Sequence, residues 1–140
     1  MVIGARTVVG AGVKIIGDSH GPVRIGADVQ ILENSVLHLL PDNELVIEDD
    51  AVIGPGSMIH GCFMGAGSIV EAGAIVCDGS RVGPGSIVRA GACVKQRSEF
   101  PPLAILDGFP ARQVGSLDEP PEPPPWAFTA GSLATLARIR

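Results

Sequence analysis

Aliphatic side chains return at every sixth position through the first 94 residues. The series runs Ile3, Val9, Ile15; Ile25, Ile31, Leu37; Ile47, Ile53, Ile59; Met64, Val70, Val76; and Val82, Val88, Val94. Only three shifts of phase interrupt it: four-residue insertions around Asp18–Gly21 and Leu40–Asn43, and a one-residue deletion around Cys62. A second signal follows three residues behind the anchors, at Gly12, Asp28, Asn34, Asp50, Gly56, Gly67, Gly73, Gly79, Gly85 and Gly91. Gly, Asn and Asp tolerate the left-handed backbone of a sharp corner. Six residues then make one short strand and one corner. Three strands close a triangular turn, and fifteen hexads predict an all-β parallel β-helix of about five coils, stacked about 4.8 Å apart.

Composition sharpens this picture and divides the chain. Aromatics are 4% with no tyrosine, which suits a narrow interior of Val and Ile, and 19 glycines argue against a helical bundle. Residues 1–97 hold 25 of the 28 valines and isoleucines, whereas residues 101–140 hold eight of the twelve prolines. The expected organisation is a β-helix over 1–98, a capping segment over 99–118 that packs on it, and a Pro-rich linker over 119–140. That last part contains an extended Pro120–Pro125 spacer, and Thr129–Arg140 reads equally as a short amphipathic C-terminal helix or as a disordered chain end.

The net charge of −5 offers no basic stripe to nucleic acid or an anionic membrane. No apolar run reaches the roughly 20 residues of a membrane span. Three cysteines without a CxxC spacing fit free thiols in a reducing cytoplasm, and Cys62, Cys77 and Cys93 read as small buried hydrophobes.

The candidate chemistry lies just after the third anchor of each coil. There the residues are Ile16, His38, His60, Cys77 and Lys95, whereas the first column has Gly4, Gly26, Glu48, Gly65 and Gly83. His38 and His60 fall on successive coils, one strand spacing apart, and His20 falls in the insertion beside them. Two or three imidazoles so placed are candidate ligands for zinc or another divalent ion, or simply a stacked, hydrogen-bonded pair. Glu33 faces a loop beside the second column and is a candidate general base.

These residues resemble the γ-class carbonic anhydrases. The likeness covers residues 2–114 and rests on Ile16-Gly17-Asp18, Val23-Arg24-Ile25-Gly26, Glu33-Asn34-Ser35-Val36-Leu37-His38, Ile53-Gly54-Pro55-Gly56-Ser57-Met58-Ile59-His60-Gly61-Cys62, Gly73-Ala74-Ile75-Val76-Cys77-Asp78-Gly79 and Gly108-Phe109-Pro110-Ala111-Arg112-Gln113-Val114. The resemblance implies left-handed winding, a homotrimer, and a metal held between subunits. His38 and His60 match two of the three metal-binding histidines; the third position is Pro55, which has no ligand atom. Ile16, Leu32 and Ser19 replace the arginine, glutamine and glutamate that the resemblance leads one to expect, while Asp18 is retained and Glu33 conservatively fills the expected acid position.

Three functions compete on this reading. The first is an enzyme of the γ-carbonic-anhydrase mould (a lyase or hydratase, or a repurposed relative) acting on a small carbonyl-containing substrate in a remodelled interface pocket. Its site residues are His20, Glu33, His38 and His60. His20 replaces the missing ligand, or an imidazole works without metal as a base of ordinary pKa near 6.5. The second is a non-catalytic trimeric scaffold, and the third a hexapeptide acyltransferase using a CoA thioester.

Overall fold

A computed structural model describes residues 1–17 and 21–128; His20 and the candidate C-terminal helix lie outside the described residues. The described chain is a stack of three-strand turns. Strands β1 (Val2–Ile3), β2 (Val8–Val9) and β3 (Lys14–Ile16) form the first turn, and β4 (Val23–Ile25), β5 (Gln30–Ile31) and β6 (Val36–His38) the second. Strands β7 (Leu45–Ile47), β8 (Val52–Ile53) and β9 (Met58–His60) form the third. The fourth is β10 (Phe63–Met64), β11 (Ile69–Val70) and β12 (Ile75–Val76); the fifth is β13 (Arg81–Val82), β14 (Ile87–Val88) and β15 (Cys93–Val94).

Every predicted anchor sits in a strand, and the anchors stack in register. Ile3, Ile25, Ile47, Met64 and Val82 are successive partners in the first sheet. Val9, Ile31, Ile53, Val70 and Val88 are partners in the second. Ile15, Leu37, Ile59, Val76 and Val94 are partners in the third. From the second turn onward these side chains are essentially closed to solvent, while Ile3 and Val9 at the open end of the stack are exposed.

All ten predicted corner residues have φ between 58° and 74°. Arg6, Arg97 and Leu103 occupy the same register with φ of 58–60°, although they are none of the three residue types favoured there.

The coil count needs a correction. The hexad continues past Val94 to Phe100 and Leu106, so β16 (Glu99–Phe100) and β17 (Ala104–Gly108) extend the first and second sheets as a sixth, incomplete turn. Proline and an aromatic residue obscured that continuation. Strand β18 (Ala111–Ser116) then turns back antiparallel on β17 and closes the second sheet. Among the described residues there is no helix.

The Pro-rich stretch is extended but does not project from the body. Leu117 N–H donates to the Leu103 carbonyl at 2.7 Å. Further along, the Gln30 side-chain amide pairs with the Phe128 peptide, donating and accepting at 2.8 Å each way. The chain therefore descends from the sixth turn to the second across the outer face of the second sheet. A cavity of about 470 Å³ remains between this strap and the sheet, bounded by Arg6, Gln30, Val52, Pro123 and Phe128 among others. The outer face of the third sheet has no such cover among the described residues: Ile16 and Met58 stand 42% and 39% exposed there.

Candidate functional site

Because inward and outward side chains alternate along a strand, fixing Leu37 and Ile59 inside fixes His38 and His60 on the rim of the third sheet. The structure pairs them directly across β6 and β9. Their rings lie edge to face, with centroids 6.0 Å apart and planes 87° apart, a normal packing geometry for flat π systems. Ile16 precedes them on the same rim as the partner of His38, and Cys77 follows one turn beyond His60.

Asp78, which follows the strand of Val76, turns its carboxylate toward this rim. Its Oδ1 stands 4.0 Å from His60 Nδ1, with the two side chains 17% and 24% exposed. Asn43, the last residue of the second insertion, donates from Nδ2 to the same Oδ1 at 3.1 Å. Gly61 keeps that position open, since a Cβ there would stand 2.8 Å from Asn43 Cβ. A cavity of about 210 Å³ opens beside Asp78, against Leu40, Pro41, Gln96 and Arg97.

The thiols lie along the same sheet. Cys77 and Cys93 Sγ atoms are 3.9 Å apart, while Cys62 is buried in the core. Burial, the contact with Cys93 and the charge of Asp78 push the Cys77 thiol up to about 11. Burial, with smaller contributions from Asp78 and Cys77, pushes Cys62 up as well. Neither is a thiolate at neutral pH, and a neutral thiol is a weak nucleophile and metal ligand.

Glu33 is not brought to the histidines within one chain. It belongs to a separate corner ladder, in which its carbonyl accepts from Gly56 N–H and the Pro55 carbonyl accepts from Gly73 N–H. That ladder borders the third sheet on the side where β6 begins, and His38 ends β6. A three-residue strand separates them, about 10 Å at roughly 3.3 Å per residue.

Catalytic zinc requires about three protein ligands. Here two imidazoles share an edge, Pro55 supplies no donor, and no three His, Cys, Asp or Glu side chains converge among the described residues. The described donor set does not fit a three-ligand metal. Sequence reasoning located the histidine pair but passed over Asp78 and Asn43. The available signal was the carboxylate directly after Cys77, one turn above His60.

No family model matches the chain. Over 119 residues it is 36% identical to the carbonic anhydrase of Geobacillus kaustophilus (strain HTA426), covering 85% of this chain and 65% of that protein. Carnitine operon protein CaiE of Escherichia coli (strain K12) is 28% identical over 119 residues, covering 85% of this chain and 60% of that protein. The chain thus spans 60–65% of the length of these curated relatives. Among solved structures, a hexapeptide transferase family protein from Anaplasma phagocytophilum matches with a TM-score of 0.73 at 22% identity. That match covers 98% of this chain and 74% of the other, a likeness of fold.

Proposed function

We propose that this chain, a γ-carbonic-anhydrase-like hexapeptide-repeat protein wound as a left-handed β-helix, is an enzyme acting on a small carbonyl-containing substrate through imidazole general-base chemistry. The observation that supports this most is the His38–His60 pair held one strand spacing apart beside Asp78, and the resemblance implies that Pro55 takes the place of a third ligand.

In this reading one imidazole nitrogen of His60 takes a proton from water as its oxygen bonds to the substrate carbonyl carbon. The same proton then returns to the departing group, so the base is regenerated. Such proton transfer contributes about 10²–10⁴-fold. His38, packed against His60, supplies a second polar group for the carbonyl oxygen.

The site is an interface site. The rim of His38 and His60 and the corner of Glu33 and Pro55 border opposite edges of one sheet, whose outer face exposes Ile16 and Met58. Seating the two edges against each other between copies is a heterologous contact that closes as a three-fold ring. Glu33 reaches the pocket from an adjacent subunit in this arrangement, and the exposed apolar face is buried.

The test uses p-nitrophenyl acetate as a small carbonyl probe with the full chain. His60→Gln is expected to lose about 10²-fold or more of the wild-type hydrolysis, and light scattering is expected to give three times the 14.3 kDa chain mass. Unchanged hydrolysis in both His60→Gln and His38→Gln contradicts the reading. The same base deprotonates an acceptor hydroxyl or amine equally well, so acyl transfer from a CoA thioester is the second reading. Binding of acetyl-CoA in a calorimetric titration favours it.

A further inference from the structure

The inference here deepens the reading of His60 as a base and rests on it for its functional meaning, although its test does not. His60 Nδ1 is buried and has no hydrogen-bond partner among the described residues. A buried polar nitrogen without a hydrogen bond carries its desolvation cost uncompensated. The carboxylate placed to satisfy it is Asp78, at 4.0 Å and itself mostly buried. That distance closes to a hydrogen bond by an approach of about 1 Å, and such contacts commonly tighten when a site is loaded.

The chemistry of the pair decides which nitrogen holds the proton. A carboxylate facing an N–H is attracted, whereas a carboxylate facing an imidazole lone pair at the same place is repelled. We infer that Asp78 is a positioning residue that fixes His60 as the Nδ1–H tautomer, leaving the lone pair on Nε2, with Asn43 holding the carboxylate in place. Three separate elements converge on this arrangement. His60 ends a strand, Asp78 begins a corner one turn later, and Asn43 closes the insertion at 40–43. Gly61 leaves the space that Asn43 fills, and its carbonyl accepts from Gly79 N–H at 2.7 Å, tying the His60 and Asp78 corners together. The insertion interrupts the repeat yet supplies the residue that anchors the carboxylate. In the Ser-His-Asp arrangement, a carboxylate behind the histidine likewise sets which nitrogen is free to act.

The experiment is a two-bond proton–nitrogen correlation spectrum of the full-length, metal-free protein labelled at histidine nitrogen, recorded at about pH 9. The wild type is expected to show His60 with a protonated Nδ1 and an unprotonated Nε2. In Asp78→Ala the Nδ1–H form falls to the minority, and in Asn43→Ala it falls part of the way, with the backbone circular dichroism unchanged. If Asp78→Ala does not fold, Asn43→Ala alone provides the readout. An Nε2–H tautomer in the wild type, or an identical His60 pattern in the folded variants, overturns the inference. A fixed tautomer with full hydrolysis in His60→Gln upholds the positioning role and removes the catalytic one. A free tautomer with hydrolysis lost in His60→Gln does the reverse.

Discussion

The residue that follows each predicted hexad corner from Asp28 to Gly91 is buried, and small polar side chains there do specific tasks. Ser35, Ser57, Ser68, Ser80 and Ser86 are all buried. The Ser57 hydroxyl donates to the Gly54 carbonyl at 2.8 Å, and the Ser35 hydroxyl donates to the same carbonyl at 3.0 Å. Ser68 Oγ, by contrast, has no partner among the described residues. The two serines should therefore respond oppositely to loss of the hydroxyl. Ser57→Ala is expected to destabilise by about 1 kcal/mol, and Ser68→Ala to be neutral or to stabilise by about 1 kcal/mol. Guanidinium unfolding of both variants checks this, and an equal loss in the two would contradict it. At this scale the sequence was legible wherever the repeat dictates direction. His38 and His60 had to lie on one rim once Leu37 and Ile59 were inside. Asp78 and Asn43 were not legible as a pair, because the hexad sets no direction for a residue within a corner and no path for an inserted loop.

Among elements, the strand and corner pattern was readable because each hexad repeats the same two decisions, an inward aliphatic and a left-handed backbone. The reading ended one turn early where Pro101, Pro102 and Phe100 break the composition but not the spacing. The path of the strap could not be read at all. It depends on a contact 98 residues apart in sequence, between Gln30 and Phe128. That side-chain amide imitates a strand partner for the Phe128 peptide and pins the strap over the second sheet. Gln30→Ala should release this end of the strap while leaving the stack intact. The expected result in hydrogen exchange is faster exchange of the Phe128 amide by about tenfold, for a bond worth about 1.4 kcal/mol. Amides in β8 and β11 should keep their protection. Unchanged protection at Phe128 would mean that packing of the prolines, not Gln30, holds the strap.

For the whole molecule, the strap and the bare sheet are complementary facts. One outer face is covered by the chain itself, and another exposes Ile16 and Met58 beside the histidine rim, the face that the proposed three-fold contact would bury. No helix among the described residues is long and apolar enough to cross a membrane. The fold follows directly from periodicity, whereas the proposed chemistry turns on a few side chains, among them the proline at position 55. On the proposed function, this rim works through imidazole and carboxylate rather than through a three-histidine metal. The zinc content of the full chain, purified without chelator or histidine tag, equilibrated with equimolar zinc and desalted, separates the two. Well under one zinc per chain, unchanged in His38→Ala, is the predicted result. One zinc per chain in the wild type, lost in both His38→Ala and His60→Ala, would contradict the claim.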